Sequence, residues 1–296
     1  MTGKFTGIIP PVISPLTPAG EIDVAGLESH VHRLIDGGVH GLFVLGSSGE
    51  GPLLTSSLAK TLIRRTVEAV DGQIPVIAGA LEPSTVRTIE AIELAAECGA
   101  DAVVITTPYY VETDDAGLRA HVREAAERSP LPVVLYNIPS KTHHNMTPSI
   151  VADVIDLENI VGIKDSHGDW PQFEQLLALR GPDFVVLQGA ERYAAQSLLA
   201  GADGLVPGLS NVAPRLFAEM FDAAQAGDRE RLLALQSDAD ALGTLHTYGH
   251  WLACLKYAVS LVGPTQPHTF ARVVPLSDAA RATIESLVRR QQGGPE

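Results

Sequence analysis

One local pattern recurs along the chain and limits how it can fold. A glycine suited to ending a helix is followed by a small or turn residue and then by a short apolar run, at residues 38–45, 99–105 and 201–206. Glycine readily adopts the left-handed conformation that closes a helix, and an uninterrupted apolar run suits a strand buried on both faces. Each copy therefore predicts a helix, a tight turn and a strand of a parallel sheet.

Further apolar runs bring the number of predicted strands to eight. They cover residues 8–12, 75–78, 132–136, 161–164 and 184–188. Helical patterns lie between them; Asp23, for example, suits the N-cap of a segment with an apolar face. Regular alternation of strands and helices implies a parallel sheet, and eight units favour a closed (β/α)8 barrel over an open, doubly wound sheet.

Helical patterns continue after the last predicted strand. They lie near residues 214–226, 229–245, 251–261 and 277–290. We therefore predict a barrel over residues 1–212 and a helical extension packed on it over residues 213–296. Residues 293–296, Gly-Gly-Pro-Glu, read as a loose tail.

Charge and composition exclude several classes of protein. The net charge of −14 argues against a binder of nucleic acid or anionic membranes. The first residues lack an apolar leader, and no apolar stretch reaches the roughly 18 residues of a membrane span, so we expect a cytoplasmic protein. Cys98 and Cys254 are too few for a disulfide framework or a thiolate metal site, and both read as buried apolar residues.

The chemistry of such a barrel lies where its strands end, at the C-terminal face. Lys164 ends an apolar run, where burial would disfavour its charged form, and a neutral amine can attack a ketone. The alternative is a lysine that extends to the surface or pairs with Asp165. Tyr136 ends the preceding strand, so its phenol could move protons in the same cavity, or simply pack there.

Three other polar segments follow predicted strands. The loop 46–51, Gly-Ser-Ser-Gly-Glu-Gly, could present N–H and O–H donors to a carboxylate, and it is not a phosphate-binding P-loop. Tyr109 and Tyr110 could line a site or pack in an interface. His143 and His144 could bind a metal ion, but their spacing matches no known ligand pattern, so we predict no metal site.

Taken in order, these segments resemble the dihydrodipicolinate synthase / N-acetylneuraminate lyase family of class I pyruvate aldolases. The motifs are residues 7–11, Leu53, 108–110, 136–140 and 162–165, so the resemblance covers nearly the whole chain. It implies a (β/α)8 barrel and a lyase that forms a Schiff base between a lysine and a 2-oxo acid. It also implies that no cofactor is needed beyond this adduct.

The resemblance assigns catalytic roles to three residues. Lys164 would form the imine with pyruvate, and Tyr136 would be the phenol that moves protons. Tyr110 matches a tyrosine that, in the synthases, reaches across a tight dimer to complete a proton relay. The resemblance thus implies a homo-oligomer, with the tetramer of the family as the natural expectation.

The resemblance also assigns substrate-binding roles. Ser47 and Ser48 match the pair that holds the pyruvate carboxylate, and Gly189 and Val206 match positions that line the pyruvate site. Lys141 stands where the synthases carry an arginine that grips the carboxylate of aspartate semialdehyde. Lysine cannot reproduce that planar, two-pronged grip.

Departures from the synthases guide the expected substrate. Besides Lys141, the segment 206–211 and the serine at position 47 resemble the branch that acts on 2-oxo-3-deoxy sugar acids. We therefore expect an aldolase or dehydratase acting on such an acid. The alternative is 4-hydroxy-tetrahydrodipicolinate synthase, which condenses pyruvate with aspartate semialdehyde.

Two classes compete with this interpretation. A relative that only binds its ligand is one, but binding alone would not require a nucleophile together with a proton shuttle. A metal-dependent barrel aldolase is the other, and it would lose activity in a chelator, whereas an imine-forming enzyme would not.

Overall fold

Eight parallel strands form one closed barrel in the computed structural model, which describes residues 5–291. They are β1 (Gly7–Ile8), β2 (Leu42–Val44), β3 (Val76–Ala80), β4 (Ala102–Thr106), β5 (Val133–Asn137), β6 (Ile160–Asp165), β7 (Val185–Gln188) and β8 (Gly204–Leu205). From β2 to β8 each strand pairs with the next along the chain, and β8 pairs with β1. Backbone hydrogen bonds of Phe43 with Pro10 and Val12 join β2 to the residues after β1. The predicted (β/α)8 barrel is confirmed.

Helices surround the barrel and continue beyond it. They are α1 (Val24–Asp36), α2 (Ser56–Val70), α3 (Thr85–Glu97), α4 (Asp115–Arg128), α5 (Pro139–Thr142), α6 (Pro148–Ala152), α7 (Trp170–Leu177), α8 (Ala194–Leu199), α9 (Pro214–Gln225), α10 (Arg229–Gly243), α11 (Trp251–Ser260) and α12 (Asp278–Gln291). Among the helices of residues 5–291, none is both long and apolar enough to cross a membrane. The four predicted C-terminal helices are present, whereas the boundary at residue 212 stays a prediction and the tail at 293–296 lies outside the described residues.

The recurring glycine pattern forms the turns that it predicts. Gly38, Gly99 and Gly201 all have left-handed backbones, with φ of +83°, +84° and +93°. An L-residue with a side chain would be strained there, so glycine allows the chain to leave a helix and enter a strand within a few residues.

The aspartates in two of these copies fasten neighbouring strands. The Asp101 carboxylate accepts a hydrogen bond from the backbone N–H of Val76 at 2.9 Å, and that of Asp203 accepts one from Val186 at 2.8 Å. Each bond gives an acceptor to a buried backbone N–H near the start of a strand.

Apolar side chains fill both the barrel interior and the layer between strands and helices. The interior cluster includes Phe5, Ile9, Phe43, Ile77, Val104, Val134, Tyr136, Leu187 and Val206. These side chains pack the interior of the barrel. The thiols of Cys98 and Cys254 are free and buried, as the sequence predicted.

A buried histidine lies beneath the turn that follows β8. The Asn211 amide donates to the carbonyls of Pro11 and Gly208, so its Oδ1 is an acceptor for His30 Nε2 at 3.0 Å. The other ring nitrogen of His30 lies 3.3 Å from the Arg33 guanidinium. Burial, helped by the charge of Arg33, lowers the pKa of His30 to about 3. The folded protein therefore holds this ring neutral.

Acid is expected to destabilise the fold through His30. Between pH 6.5 and about 3 the unfolded chain binds a proton at this position and the folded chain does not. The free energy of unfolding should therefore fall by up to about 1.4 kcal/mol per pH unit, and by about 5 kcal/mol over the whole window. Urea unfolding at pH 7, 6 and 5 measures this. His30→Gln should flatten the profile and exposed His32→Gln should not; parallel profiles for all three proteins would contradict the prediction.

Candidate active site

A cavity of about 280 Å³ opens at the C-terminal ends of the strands. The predicted residues Ser47, Ser48, Tyr136, Lys141 and Lys164 line it, as do Gly189 and Val206. The barrel thus brings together side chains that lie far apart in the sequence, because the ends of parallel strands meet at one face.

Lys164 lies at the bottom of this cavity. Its side chain is 5% exposed, and its Nζ is 4.0 Å from the centre of the Tyr136 ring, with which it shares a β5–β6 register position. The Phe43 ring lies 5.1 Å away. The amine therefore faces aromatic surfaces within reach of a ligand.

Asp165 does not pair with Lys164. Successive residues of a strand point to opposite faces, so Asp165 turns outward while Lys164 turns inward. Its carboxylate accepts hydrogen bonds from the Asn137 amide at 2.8 Å and the His167 backbone N–H at 2.9 Å. Burial raises the pKa of Asp165, which these donors oppose. This network anchors the end of β6 and leaves the amine of Lys164 to the cavity.

Gly189 makes room for the lysine side chain. A Cβ at this position would lie 2.9 Å from Cε of Lys164 and would collide with Oγ of Ser166. A larger residue would therefore displace Lys164 from its position beside Tyr136.

A tight loop after β2, residues 46–51 and here called the serine loop, presents Ser47 and Ser48. Leu45 and Glu50 both have left-handed backbones, with φ of +58° and +55°. The carbonyl of Gly49 accepts a hydrogen bond from the Ser14 hydroxyl. The loop is thus held from below while the two serines line the cavity, where their hydroxyls can face a carboxylate.

Glu50 and Lys256 form a buried ion pair that the sequence analysis missed. Lys256 Nζ donates to Glu50 Oε1, and the two side chains are 0% and 1% exposed. Glu50 Oε2 accepts from the backbone N–H groups of Phe270 and Ala271 at 2.8 and 3.0 Å. Burial lowers the pKa of Lys256, and the Glu50 carboxylate opposes this shift. The pair joins the serine loop to α11.

Glu191 is a second residue that the sequence analysis missed. It lines the cavity just beyond β7, and its Oε1 accepts a hydrogen bond from the backbone N–H of Leu209 at 2.7 Å. Burial raises the pKa of Glu191 to about 7, against the opposing effects of backbone donors and of Lys164. Its position shortly after a strand was the only feature of the sequence that could have indicated a place in the active site.

The C-terminal helices close one side of the cavity. Trp251 and Leu255 of α11 line it, together with His246 from the 3-10 turn Thr244–Thr247. Lys141 Nζ lies 5.5 Å from the centre of the Trp251 ring, an arrangement in which the ring face attracts the ammonium. This side of the cavity therefore combines the polar side chains of Lys141 and His246 with the apolar side chain of Leu255.

Tyr110 lies outside the cavity of a single chain. It is 95% exposed and has a left-handed backbone with φ of +75°, in the loop between β4 and α4. The hydroxyl of its neighbour Tyr109 donates to the carbonyl of Leu81 at 3.1 Å. The loop is thus anchored with Tyr110 pointing into solvent.

His143 and His144, which the sequence offered as metal ligands, do not line the cavity. His144 Nε2 lies 3.0 Å from Oδ1 of Asp115, and neither residue lines the cavity. Within the described chain, no group of three or more His, Cys, Asp or Glu side chains could hold a metal ion. A cofactor-free reaction remains a prediction.

Comparisons with known proteins agree with this geometry. The model of the dihydrodipicolinate synthetase family matches residues 4–291. A 4-hydroxy-tetrahydrodipicolinate synthase of Stenotrophomonas maltophilia is 42% identical over 77% of the chain and 76% of the relative. An uncharacterised DapA-like lyase of Halobacterium salinarum is 35% identical over 95% of this chain and 92% of the relative.

A solved structure extends the similarity to nearly the full length. YagE, a prophage protein of this family from E. coli K12 crystallised with pyruvate, superposes with a TM-score of 0.92 at 30% identity, over 97% of this chain and 99% of that one. The resemblance stated from the motifs is therefore confirmed, as is the prediction of a class I aldolase-type lyase. The chain belongs to the dihydrodipicolinate synthetase family.

Proposed function

We propose that this enzyme forms an imine between Lys164 and a 2-oxo acid, and that it cleaves, condenses or dehydrates a 2-oxo-3-deoxy sugar acid. The observation that carries this proposal is the buried amine of Lys164 beside the Tyr136 ring at the bottom of the cavity. A buried amine that forms no ion pair within residues 5–291 is suited to attack a carbonyl carbon.

The proposed reaction uses the lysine adduct as its electron sink. Lys164 Nζ attacks the 2-oxo carbon, and loss of that oxygen as water gives a protonated imine. Breaking a bond beta to the imine carbon then leaves an electron pair that the imine stabilises as an enamine. Tyr136 would carry the protons, while Ser47 and Ser48 would hold the carboxylate. We propose no metal or other cofactor for these steps.

A second candidate function is 4-hydroxy-tetrahydrodipicolinate synthase. It is supported by the name of the 42% identical relative. Lys141 lines the cavity and could attract the carboxylate of aspartate semialdehyde, but only as a point charge. We favour the sugar-acid reaction because the wall around Lys141 offers further polar groups, His246 and Glu191.

We also propose that the enzyme works as a homo-oligomer, as a tetramer of the kind the resemblance implies. Tyr110 is exposed in one chain, and Leu53, Val86 and Val111 are exposed as well, at 53%, 66% and 72%. In an oligomer, Tyr110 of one copy would reach the site of another. Sedimentation of the protein with and without Tyr110→Ala tests this assembly.

Reduction in the presence of pyruvate tests the central proposal. Pyruvate and borohydride should add one reduced pyruvate to Lys164, as located by peptide mass mapping. Lys164→Ala should lose this adduct, and Lys60→Ala, which changes an exposed lysine of α2, should keep it. Prior treatment with a chelator should make no difference. A folded wild-type protein that gives no adduct would refute the imine, and a loss in chelator would favour the metal-dependent reading.

A further inference from the structure

His246 occupies a position in the cavity that the proposed imine chemistry does not use. It lies in the short turn between α10 and α11, and it lines the same cavity as Lys164. The carboxylate and carbonyl of a 2-oxo acid would be held by Lys164, Ser47 and Ser48. The wall with His246 is therefore left for the remainder of the substrate.

The structure sets the tautomer of this histidine. His246 Nδ1 lies 3.4 Å from the backbone carbonyl of Trp251. A carbonyl can only accept, so Nδ1 carries the hydrogen and donates. Burial lowers the pKa of His246, with this hydrogen bond opposing the shift, so the ring is neutral near pH 7. Nε2 is then a lone-pair acceptor, and no protein donor to it is found among residues 5–291.

The polar groups beside His246 limit which kinds of substrate tail the cavity can bind. Lys141 is a donor on the Trp251 ring, and Glu191, with its pKa raised to about 7, can donate or accept. A carboxylate beside Nε2 would be repelled by its lone pair, although Lys141 could attract it, and an alkyl tail would form no hydrogen bond with any of the three groups. A chain of hydroxyl groups, each of which both donates and accepts, satisfies all of them.

We propose that His246 is a specificity-determining residue that accepts a hydrogen bond from a hydroxyl on the tail of the 2-oxo acid. The cavity therefore takes a polyhydroxylated tail in preference to an alkyl one. This inference rests on the proposed function in one respect, because it assumes that the 2-oxo end of the ligand lies at Lys164. A site built around hydrogen bonds rejects an analogue that lacks them, since its own polar groups then lose their partners.

Equilibrium binding in a Lys164→Ala background tests His246 without any need for the imine. The probes are 2-oxo-3-deoxygluconate and 2-oxohexanoate, which have the same carbon chain with and without the tail hydroxyls. By calorimetry the hydroxylated acid should bind more tightly by about tenfold or more. His246→Leu should reduce this preference by about three- to tenfold, the value of one hydrogen bond.

Two further variants separate recognition from packing. His246→Gln supplies a carbonyl acceptor and should recover part of the preference, whereas His32→Leu, an exposed change on α1, should leave it unchanged. Thermal melting establishes that each variant is folded. An equal loss of affinity for both acids, an unchanged preference, or no binding of the hydroxylated acid would each overturn the role of His246.

Failure of the proposed function would appear in a different measurement. Borohydride trapping of pyruvate on protein with Lys164 intact reports the imine, and His246→Leu should still form the adduct. A wild-type protein that gives no adduct but prefers the hydroxylated acid through His246 would refute the imine and support the specificity role.

Discussion

Tyr136→Phe is expected to lower kcat by about 10²- to 10⁴-fold, the usual contribution of a positioned proton-transfer group. The ring itself should stay in place, because it packs edge-on against Phe43 at 6.2 Å in the barrel interior. The substitution removes only the hydroxyl that would carry protons to and from the carbinolamine and the enamine. Water must then replace a phenol held beside Lys164.

Measuring kcat and KM separately shows whether the Tyr136 phenol acts in the transition state. We expect KM to change little and the rate of pyruvate adduct formation to fall with kcat. Tyr257→Phe is the matched control, since that hydroxyl contacts Glu285 outside the cavity. A Tyr136→Phe enzyme with a kcat within about threefold of the wild type would exclude Tyr136 as the proton carrier.

Lys256→Met is expected to destabilise the protein by about 3–5 kcal/mol, the cost of leaving a buried charge unpaired. Glu50 would keep its bonds from the N–H groups of Phe270 and Ala271 but lose its counter-ion. The double variant Glu50→Gln/Lys256→Met removes both charges, and most of the lost stability should return. Urea unfolding of the single and double variants measures the coupling as a double-mutant cycle.

The double variant also tests what the pair does for the site. Glu50 lies two residues after Ser48 in the same loop, and Lys256 belongs to the helix that carries Trp251 and Leu255. We expect the double variant to raise KM for pyruvate more than it lowers kcat. Arg231→Met, which breaks an exposed ion pair with Glu219, is the control and should change stability by no more than about 1 kcal/mol. A double variant as unstable as Lys256→Met would show that the two charges are not coupled.

Local patterns in the sequence were sufficient to predict the barrel and to place Lys164 and Tyr136 at the ends of its strands. Glycines that end helices and apolar runs that form strands act over a few residues, so their effect can be read from neighbouring positions. Lys164 and Tyr136 end adjacent strands, and parallel pairing places them side by side once the barrel is inferred.

Only the tertiary structure decided the surroundings of these residues. Glu50 and Lys256 are 206 positions apart, and His246 and Trp251 enter the cavity from the segment that follows the last strand. The raised pKa of Glu191 depends on burial, which no local pattern encodes. Tyr110 was assigned by resemblance and points away from the cavity of its own chain. The physical reason is common to all of them: ion pairing, tautomer and pKa depend on which distant groups share a buried space, and packing alone sets that.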